Sequence, residues 1–230
     1  MGETGQKAPY GLKVFLLTLG FLVRATTKFR KKDYRRIAKQ IFAAVIQAAP
    51  EDGIAIDCGA NVGAITGLFL KRGLRVYAFE ADPVASERLL AEYGQNPNLV
   101  FHPVAVGIAS SQQRLYRRKE FAENPEYWTM SSSLLRRKVC DDRHSIEVEV
   151  VDFIEFLQDI PERISILKMD IEGAEVGILE RLLDTGLHSK IDFIFVETHG
   201  RISLDCAFRT ARIRARIQAS GFSHFNLDHN

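Results

Sequence analysis

The chain has 230 residues, of which 46% are hydrophobic and 26% are charged, and its formal net charge at pH 7 is +2. This composition is typical of a large globular domain, and it excludes wholesale disorder, a collagen-like chain, a disulfide scaffold and a strongly basic nucleic-acid binder. The three cysteines, Cys58, Cys140 and Cys206, form no Cys-x-x-Cys pair, which indicates reduced thiols in a cytoplasmic protein.

The N-terminal part of the chain has an uneven distribution of charge. An apolar run at residues 14–23 precedes a stretch at residues 24–36 that has seven basic residues and one acid. Ten apolar residues are too few to cross a bilayer, which needs roughly 20. We predict a helical extension at residues 1–50 that docks on a domain formed by residues 51–230. The alternatives are a peripheral membrane contact through residues 13–36 and a signal for export.

Short β-branched and aromatic runs alternate with segments of helix length along the rest of the chain. The predicted strands lie at residues 54–57, 75–80, 99–104, 164–170, 191–197 and 222–227. The predicted helices lie at residues 63–71, 174–184 and 203–219, with a further helix that begins at Pro83 and has Asp82 as its N-cap. This alternation predicts an α/β fold in which helices cover both faces of a parallel sheet.

Residues 106–150 interrupt the alternation, and we predict an insertion there that contains a β-hairpin and lies near the carboxyl ends of the strands. Its basic clusters at residues 114–119 and 136–138 are either solvated loop faces or a binding surface for an acidic or phosphorylated acceptor. Trp128 and the serines at 131–133 either line a binding pocket or pack within a lid. The insertion therefore has two open interpretations, one structural and one functional.

A glycine-rich turn follows the first predicted strand. Gly59, Asn61 and Gly63 lie in this turn, where glycine lets the backbone approach a ligand closely. Asn61 replaces the second glycine of the dinucleotide motif, and Asp57 before the turn would repel a pyrophosphate but attract an ammonium group. Glu80, at the end of the second strand, is suited to accept hydrogen bonds from ribose hydroxyls. These five residues therefore predict a binding site for S-adenosylmethionine.

Four blocks of sequence, at residues 57–63 (DCGANVG), 79–83 (FEADP), 167–175 (LKMDIEGAE) and 196–199 (VETH), resemble the FkbM-type methyltransferase family. The resemblance implies a Rossmann-like methyltransferase sheet of the seven-stranded type with helices on both faces. It also implies O-methylation of a hydroxyl on a small molecule, sugar or glycan. The sheet of that family closes with an antiparallel pair, so one of these two strands is either missing here or lies within the insertion.

The reaction is expected at the carboxyl ends of the fourth and fifth strands, because open α/β sheets bind ligands at that edge. Asp170 is the first candidate for the base that takes a proton from the acceptor, and Glu172, Glu197 and His199 are the other catalytic candidates. Asp170, Glu197 and His199 alternatively form a site for a divalent metal such as Mg²⁺. Glu175 has a simpler explanation as an acid in the first turn of a helix.

Three functions remain open from the sequence. The leading hypothesis is an S-adenosylmethionine-dependent methyltransferase in the cytoplasm that has no nucleic-acid partner. The second is a nicotinamide-dependent oxidoreductase built on a similar first strand and turn, against which both Asp57 and Asn61 argue. The third is a non-catalytic module that binds a membrane surface or nucleic acid through residues 24–36, with binding that weakens steeply as salt is added.

Overall fold

The computed structural model describes residues 31–200 and 202–227. The apolar run at residues 14–23 and most of the basic stretch at 24–36, on which the predicted membrane contact depends, lie outside the described residues. Within the described ranges, we find no helix that combines the length and the apolar character needed to cross a membrane.

The helices and strands follow the predicted alternation. In chain order, the described strands are β1 (Ile54–Cys58), β2 (Arg75–Phe79), β3 (Leu99–His102), β4 (Ala105–Gly107), β5 (Ser111–Arg118), β6 (Cys140–Asp152), β7 (Ile164–Met169), β8 (Ile191–Val196) and β9 (Phe225–Asn226). The described helices are α1 (Lys31–Ala48), α2 (Ala64–Lys71), α3 (Pro83–Tyr93), α4 (Pro125–Trp128), α5 (Phe153–Asp159), α6 (Glu175–Thr185) and α7 (Leu204–Ala219).

The main sheet has six strands in the order β3-β2-β1-β7-β8-β9, and every neighbouring pair is parallel. Helices α1, α2 and α3 pack on one face, and α5, α6 and α7 pack on the other. Ala55 belongs to the core on the first face and Ile56 to the core on the second. The ring of Phe42, on α1, lies 4.8 Å from that of Phe195, on β8. The predicted fold, a parallel sheet with helices on both faces, is therefore confirmed.

Strands β4, β5 and β6 form a separate sheet within the insertion, in the order β4-β6-β5. β5 and β6 pair antiparallel, as expected for the insertion, whereas β4 and β6 are parallel. None of these three strands joins the main sheet, and β9 pairs in parallel with β8. Within the described residues, the main sheet therefore has no antiparallel strand, and the insertion does not supply one.

Asp82 and Gly186 mark helix ends as the sequence predicts. The Asp82 carboxylate accepts a hydrogen bond from the backbone N–H of Val84 at the start of α3. Gly186 has a φ of +72°, the left-handed conformation that ends α6. The sequence did not predict α5, which begins directly after β6 and is capped by Asp152.

Two histidines pack together where β9 joins the sheet. Nδ1 of His188 lies 3.4 Å from Nε2 of His224, and the rings of Phe222 and Phe225 pack against them. Burial, followed by the positive charges of His188 and Arg163, lowers the pKa of His224 to about 4. Burial also lowers the pKa of His188. Both imidazoles are therefore neutral in the folded protein at neutral pH.

We expect the protein to lose stability as the pH falls from 6.5, the ordinary pKa of histidine, towards about 4. The unfolded chain binds a proton in this range that the folded His224 does not bind, whereas above pH 6.5 the stabilisation is complete. Urea unfolding measures the free energy of unfolding of each protein at pH 7.5 and at pH 4.5. The decrease in this free energy between the two pH values should be larger in the wild type than in His224→Phe, by on the order of 1 kcal/mol. His144→Phe is the control, and an equal acid loss in the wild type and His224→Phe would contradict the prediction.

Candidate active site

The carboxyl ends of β1, β2, β7 and β8 surround a cavity of about 520 Å³, within the range of roughly 300–1,000 Å³ for small-molecule sites. Residues 104–106 and 127–134, together with Leu115 and Arg118, complete its wall. Six of the predicted site residues line the cavity, namely Gly59, Asn61, Glu80, Asp170, Glu172 and Glu197. Asp57, Gly63 and His199 lie close behind these residues and are not part of the lining.

The turn after β1 has a backbone that requires glycine. Gly59 has a φ of +76°, and a Cβ at this position would collide with the carbonyl oxygen of Asp170. Gly63 has a φ of +87°, and a Cβ there would lie 2.8 Å from the ring of Tyr93. Asn61 lies between them in the left-handed region, with a φ of +48°, which asparagine tolerates better than most residues. Gly59 thus lets the end of β1 pack directly against the end of β7, and Gly63 lets the turn pack against α3.

Glu80 holds the tip of β2 against this turn. Its Oε2 accepts a hydrogen bond from the backbone N–H of Asn61 at 2.8 Å, and its Oε1 accepts one from the N–H of Asp82 at 2.7 Å. Burial raises the pKa of Glu80 to about 7, although these two N–H groups oppose the shift. A carboxylate has about four acceptor positions, so Glu80 keeps about two for hydroxyl groups of a ligand.

Asp57 lies beneath the turn. Its side chain is fully buried, its Oδ2 accepts a hydrogen bond from the Thr66 hydroxyl at 2.7 Å, and its Oδ1 lies 3.8 Å from Nζ of Lys168. Burial raises the pKa of Asp57, and the Lys168 ammonium group opposes this shift. Asp57 thus connects β1 with α2 and β7, and its contact with an ammonium group of a cofactor stays a prediction.

The four predicted catalytic side chains meet beyond the ends of β7 and β8. Nε2 of His199 lies 3.7 Å from Oε2 of Glu172, 3.8 Å from Oδ1 of Asp170 and 4.0 Å from Oε1 of Glu197. Burial alone would lower the pKa of His199, but Glu175, Glu172 and Asp170 together raise it to about 9. His199 is therefore protonated at neutral pH, which makes it a poor proton acceptor.

Asp170 and Glu197 form a pair of neighbouring carboxyl groups. Burial, followed by the negative charge of Asp170, raises the pKa of Glu197 to about 7, and the charge of His199 opposes the shift. Burial also raises the pKa of Glu172, while His199 and Arg137 oppose it. Because a general base works best when its pKa is close to the working pH, the pair is suited to accept a proton at neutral pH.

Glu175 organises this cluster, and the sequence missed that role. Its side chain is fully buried, and its Oε2 accepts a hydrogen bond from the backbone N–H of Gly173 at 2.7 Å. Its Oε1 accepts one from the backbone N–H of His199 at 2.8 Å and lies 3.3 Å from Nδ1 of the same residue. Glu175 therefore joins the turns after β7 and β8, a contact across 24 positions that its place in a first helical turn does not reveal.

Asp82 also has a second role. Its fully buried carboxylate accepts two hydrogen bonds from the guanidinium of Arg117, at 2.7 and 2.8 Å, and one from the Ser132 hydroxyl at 3.0 Å. These contacts fasten the insertion to the start of α3. Helix capping was a sufficient explanation in the sequence, but it accounts for only one of the contacts that Asp82 makes.

Residues 129–137, which we call the bridging segment, contact both turns of the cavity. The Thr129 hydroxyl donates to the side-chain oxygen of Asn61 at 2.9 Å. The Ser133 hydroxyl donates to the carbonyl of Glu172 at 2.7 Å, and Arg137 donates to the Glu172 carboxylate at 2.7 Å. Glu172 has a φ of +53°, so these contacts support a backbone conformation that is unfavourable for glutamate.

The two basic clusters of the insertion fit neither interpretation completely. Arg117 is buried against Asp82, and Arg137 pairs with Glu172, so both belong to the protein's own ion pairs. Arg136 pairs with Asp142 on the surface. Arg118 lines the cavity with its guanidinium 4.5 Å from the centre of the Trp128 ring. The insertion thus uses its arginines chiefly to fix itself on the domain.

The fold and the site together define the class of protein domain to which the chain belongs. The sheet is parallel and covered by helices on both faces, and its cavity lies at the carboxyl edge between the glycine turn after β1, the acid after β2 and the carboxylates after β7. These features are those of a Rossmann-like domain. Within this class, the family model described as the methyltransferase FkbM domain matches residues 57–223. The chain belongs to this family, which confirms the resemblance seen in its sequence.

Two individual proteins are similar to parts of the chain. A protein called Methyltransferase 1 from Beauveria bassiana (strain ARSEF 2860) is 28% identical over 171 residues, which are 64% of this chain and 65% of the relative. The chain thus spans just under two thirds of that relative. A crystal structure of a TehB-like SAM-dependent methyltransferase from Corynebacterium glutamicum matches 39% of this chain and 42% of its own at 20% identity, with a TM-score of 0.23. So low a TM-score does not establish a shared fold.

Proposed function

We propose that the protein is an S-adenosylmethionine-dependent methyltransferase that transfers a methyl group to a hydroxyl oxygen on a small molecule, sugar or glycan. The observation that carries this proposal is a single cavity lined by the glycine turn with Glu80 and also by Asp170 with Glu197. Membership of the FkbM family supports methyl transfer. The carboxyl pair supports an acceptor that must lose a proton.

The residues at the glycine turn fit the adenosyl part of the cofactor. Glu80 keeps free acceptor positions for the two ribose hydroxyls, and Gly59 and Asn61 line the cavity beside it. Val104, Val106 and Leu115 give one wall of the cavity an apolar surface that suits an adenine ring. S-adenosylmethionine, when bound, supplies a methyl carbon that is activated by a neighbouring sulfonium centre.

The other half of the cavity supplies positioning and a proton acceptor. Asp170 and Glu197 would hold the acceptor hydroxyl and take up its proton as the methyl group passes from sulfur to oxygen, which would leave the sulfur of the cofactor as a neutral thioether. The protonated imidazole of His199 stabilises the ionised carboxylates by its charge. Asp170 keeps 32% of its side-chain surface exposed, so the proton has a route to solvent after the transfer.

We expect kcat/KM to rise about tenfold per pH unit below pH 7 and to level off above it, because Glu197, whose pKa is raised to about 7, must be ionised to help accept the proton. In Glu197→Gln the rise centred near pH 7 should be lost, since the carboxyl group whose pKa is raised to about 7 is absent. Initial rates between pH 5 and 9 measure both profiles. A wild-type rate that does not change over this range, or an unchanged rise in Glu197→Gln, would contradict the assignment.

The experiment that tests the proposed function begins with binding. Titration calorimetry should show that S-adenosylmethionine binds the purified protein more tightly than NAD does. Incubation with isotopically labelled methyl donor and a panel of cell extracts, followed by mass spectrometry, should then place the label on the hydroxyl oxygen of a small molecule or glycan. Tighter binding of NAD, or label on nitrogen or carbon only, would overturn the proposal.

A further inference from the structure

We infer that Asp170, Glu172 and His199 form a binding site for one divalent cation of the Mg²⁺ or Mn²⁺ type. The inference deepens the proposed function, because it places a cation next to the expected position of the acceptor. The binding of the cation itself requires no methyl donor, so the two proposals can fail separately.

The geometry of the three side chains leaves a gap that a cation would fill. Nε2 of His199 lies 3.8 Å from the Asp170 carboxylate and 3.7 Å from the Glu172 carboxylate, both beyond the hydrogen-bond range of about 2.7–3.2 Å. One ligand atom from each residue lies within 4.8 Å of the other two. Atoms on opposite sides of one Mg²⁺ ion are about 4 Å apart, so only small side-chain movements are needed.

A second observation comes from the residues around this gap. The buried Glu175 carboxylate accepts a hydrogen bond from the His199 backbone N–H and lies 3.3 Å from Nδ1, so Nε2 is turned towards Asp170 and Glu172. Arg137 in turn donates to Glu172. Metal-binding histidines commonly have a carboxylate at their other ring nitrogen, and metal-binding carboxylates commonly accept further hydrogen bonds.

The charge around the gap also favours a cation. Five carboxyl groups lie at this edge of the sheet, those of Asp57, Asp170, Glu172, Glu175 and Glu197, and the cationic side chains that pair with them are Lys168, Arg137 and the protonated His199. A bound cation would displace the proton on Nε2 of His199, which is then released to solvent. A mixed set of carboxylate oxygens and one imidazole suits Mn²⁺, and the carboxylates also suit Mg²⁺. Since Asp170 and Glu172 line the cavity, the bound cation would contact the acceptor hydroxyl and lower its pKa.

Mn²⁺ titration followed by electron paramagnetic resonance tests the inference, because the signal of free hydrated Mn²⁺ decreases as the ion binds. The metal-free wild-type protein should bind one Mn²⁺ per chain without a methyl donor. We expect Asp170→Asn and His199→Ala to lose this binding, and Glu175→Gln to weaken it by about 10–100-fold. Asp159→Asn, which removes the same charge from the exposed end of α5, is the control and should bind as the wild type does.

Circular dichroism of each variant shows whether it is folded. If a site variant is unfolded, two other measurements decide the question. Mg²⁺ should displace Mn²⁺ from the wild-type protein, and Glu175→Gln should bind Mn²⁺ more weakly than the wild type does. Binding that is absent in the wild type, or equal in the control and the folded site variants, overturns the inference and leaves an ion-pair cluster of protonated His199. Methyl transfer that persists in EDTA together with absent Mn²⁺ binding would overturn the metal site alone.

Discussion

The variant Glu80→Gln should bind S-adenosylmethionine about 100-fold more weakly than the wild type, because it loses charge-assisted hydrogen bonds worth about 1.5–3 kcal/mol each. The wild-type carboxylate accepts the N–H groups of Asn61 and Asp82 through separate oxygens. A glutamine has only one oxygen, so its amide would turn an N–H group towards another N–H group. The substitution therefore disturbs the turn as well as the contact with the ribose. Titration calorimetry measures the change in Kd.

Glu87→Gln provides the matched control for this prediction. Glu87 is exposed on α3, and its substitution removes the same charge without touching the cavity. We expect its Kd for S-adenosylmethionine to equal that of the wild type. A folded Glu80→Gln protein with wild-type affinity would show that the ribose binds elsewhere.

The second large effect is expected for Asp170→Asn. Loss of a general base typically lowers turnover by 10²–10⁴-fold, and we expect kcat to fall within this range. The binding of S-adenosylmethionine should change little, because the contact of Asp170 with Gly59 involves its backbone carbonyl, which the substitution keeps. The measurements are kcat with the identified acceptor and Kd by calorimetry.

Asp159→Asn serves as the control here too, since the residue is exposed and does not line the cavity. The comparison with Glu197→Gln is informative, because both carboxyl groups belong to one pair. If kcat remains near the wild-type value in Asp170→Asn and falls only in Glu197→Gln, then Glu197 is the base and Asp170 only helps to orient the acceptor.

Much of the fold could be predicted because its signals are local. Hydrophobic runs of strand length, a proline after Asp82 and a glycine after α6 each depend on a few neighbouring residues. The predicted strands of the main sheet are present, although most end one or two residues earlier than expected. The short strand β4 and helix α5 were missed, since both depend on packing against distant parts of the chain and carry little periodicity of their own.

The site shows the same division between local and distant signals. The carboxylates after β7 and β8 were predicted as a group because parallel strands end at one edge. The roles of Glu175 and Asp82 were missed, because a helix position explained each residue and their partners, His199 and Arg117, lie 24 and 35 positions away. The charge state of His199 also depends on carboxylates that only the fold brings together.

The bridging segment has a thermodynamic consequence. Thr129 contacts the glycine turn, where we propose that the cofactor binds, through Asn61. Ser133 and Arg137 contact the turn after β7, on the proposed acceptor side, through Glu172. A ligand that binds on one side of the cavity and shifts this segment changes the binding free energy of a ligand on the other side, and such linkage is reciprocal. Bound cofactor should therefore change the affinity for the acceptor by a certain factor, and bound acceptor should change the affinity for the cofactor by the same factor.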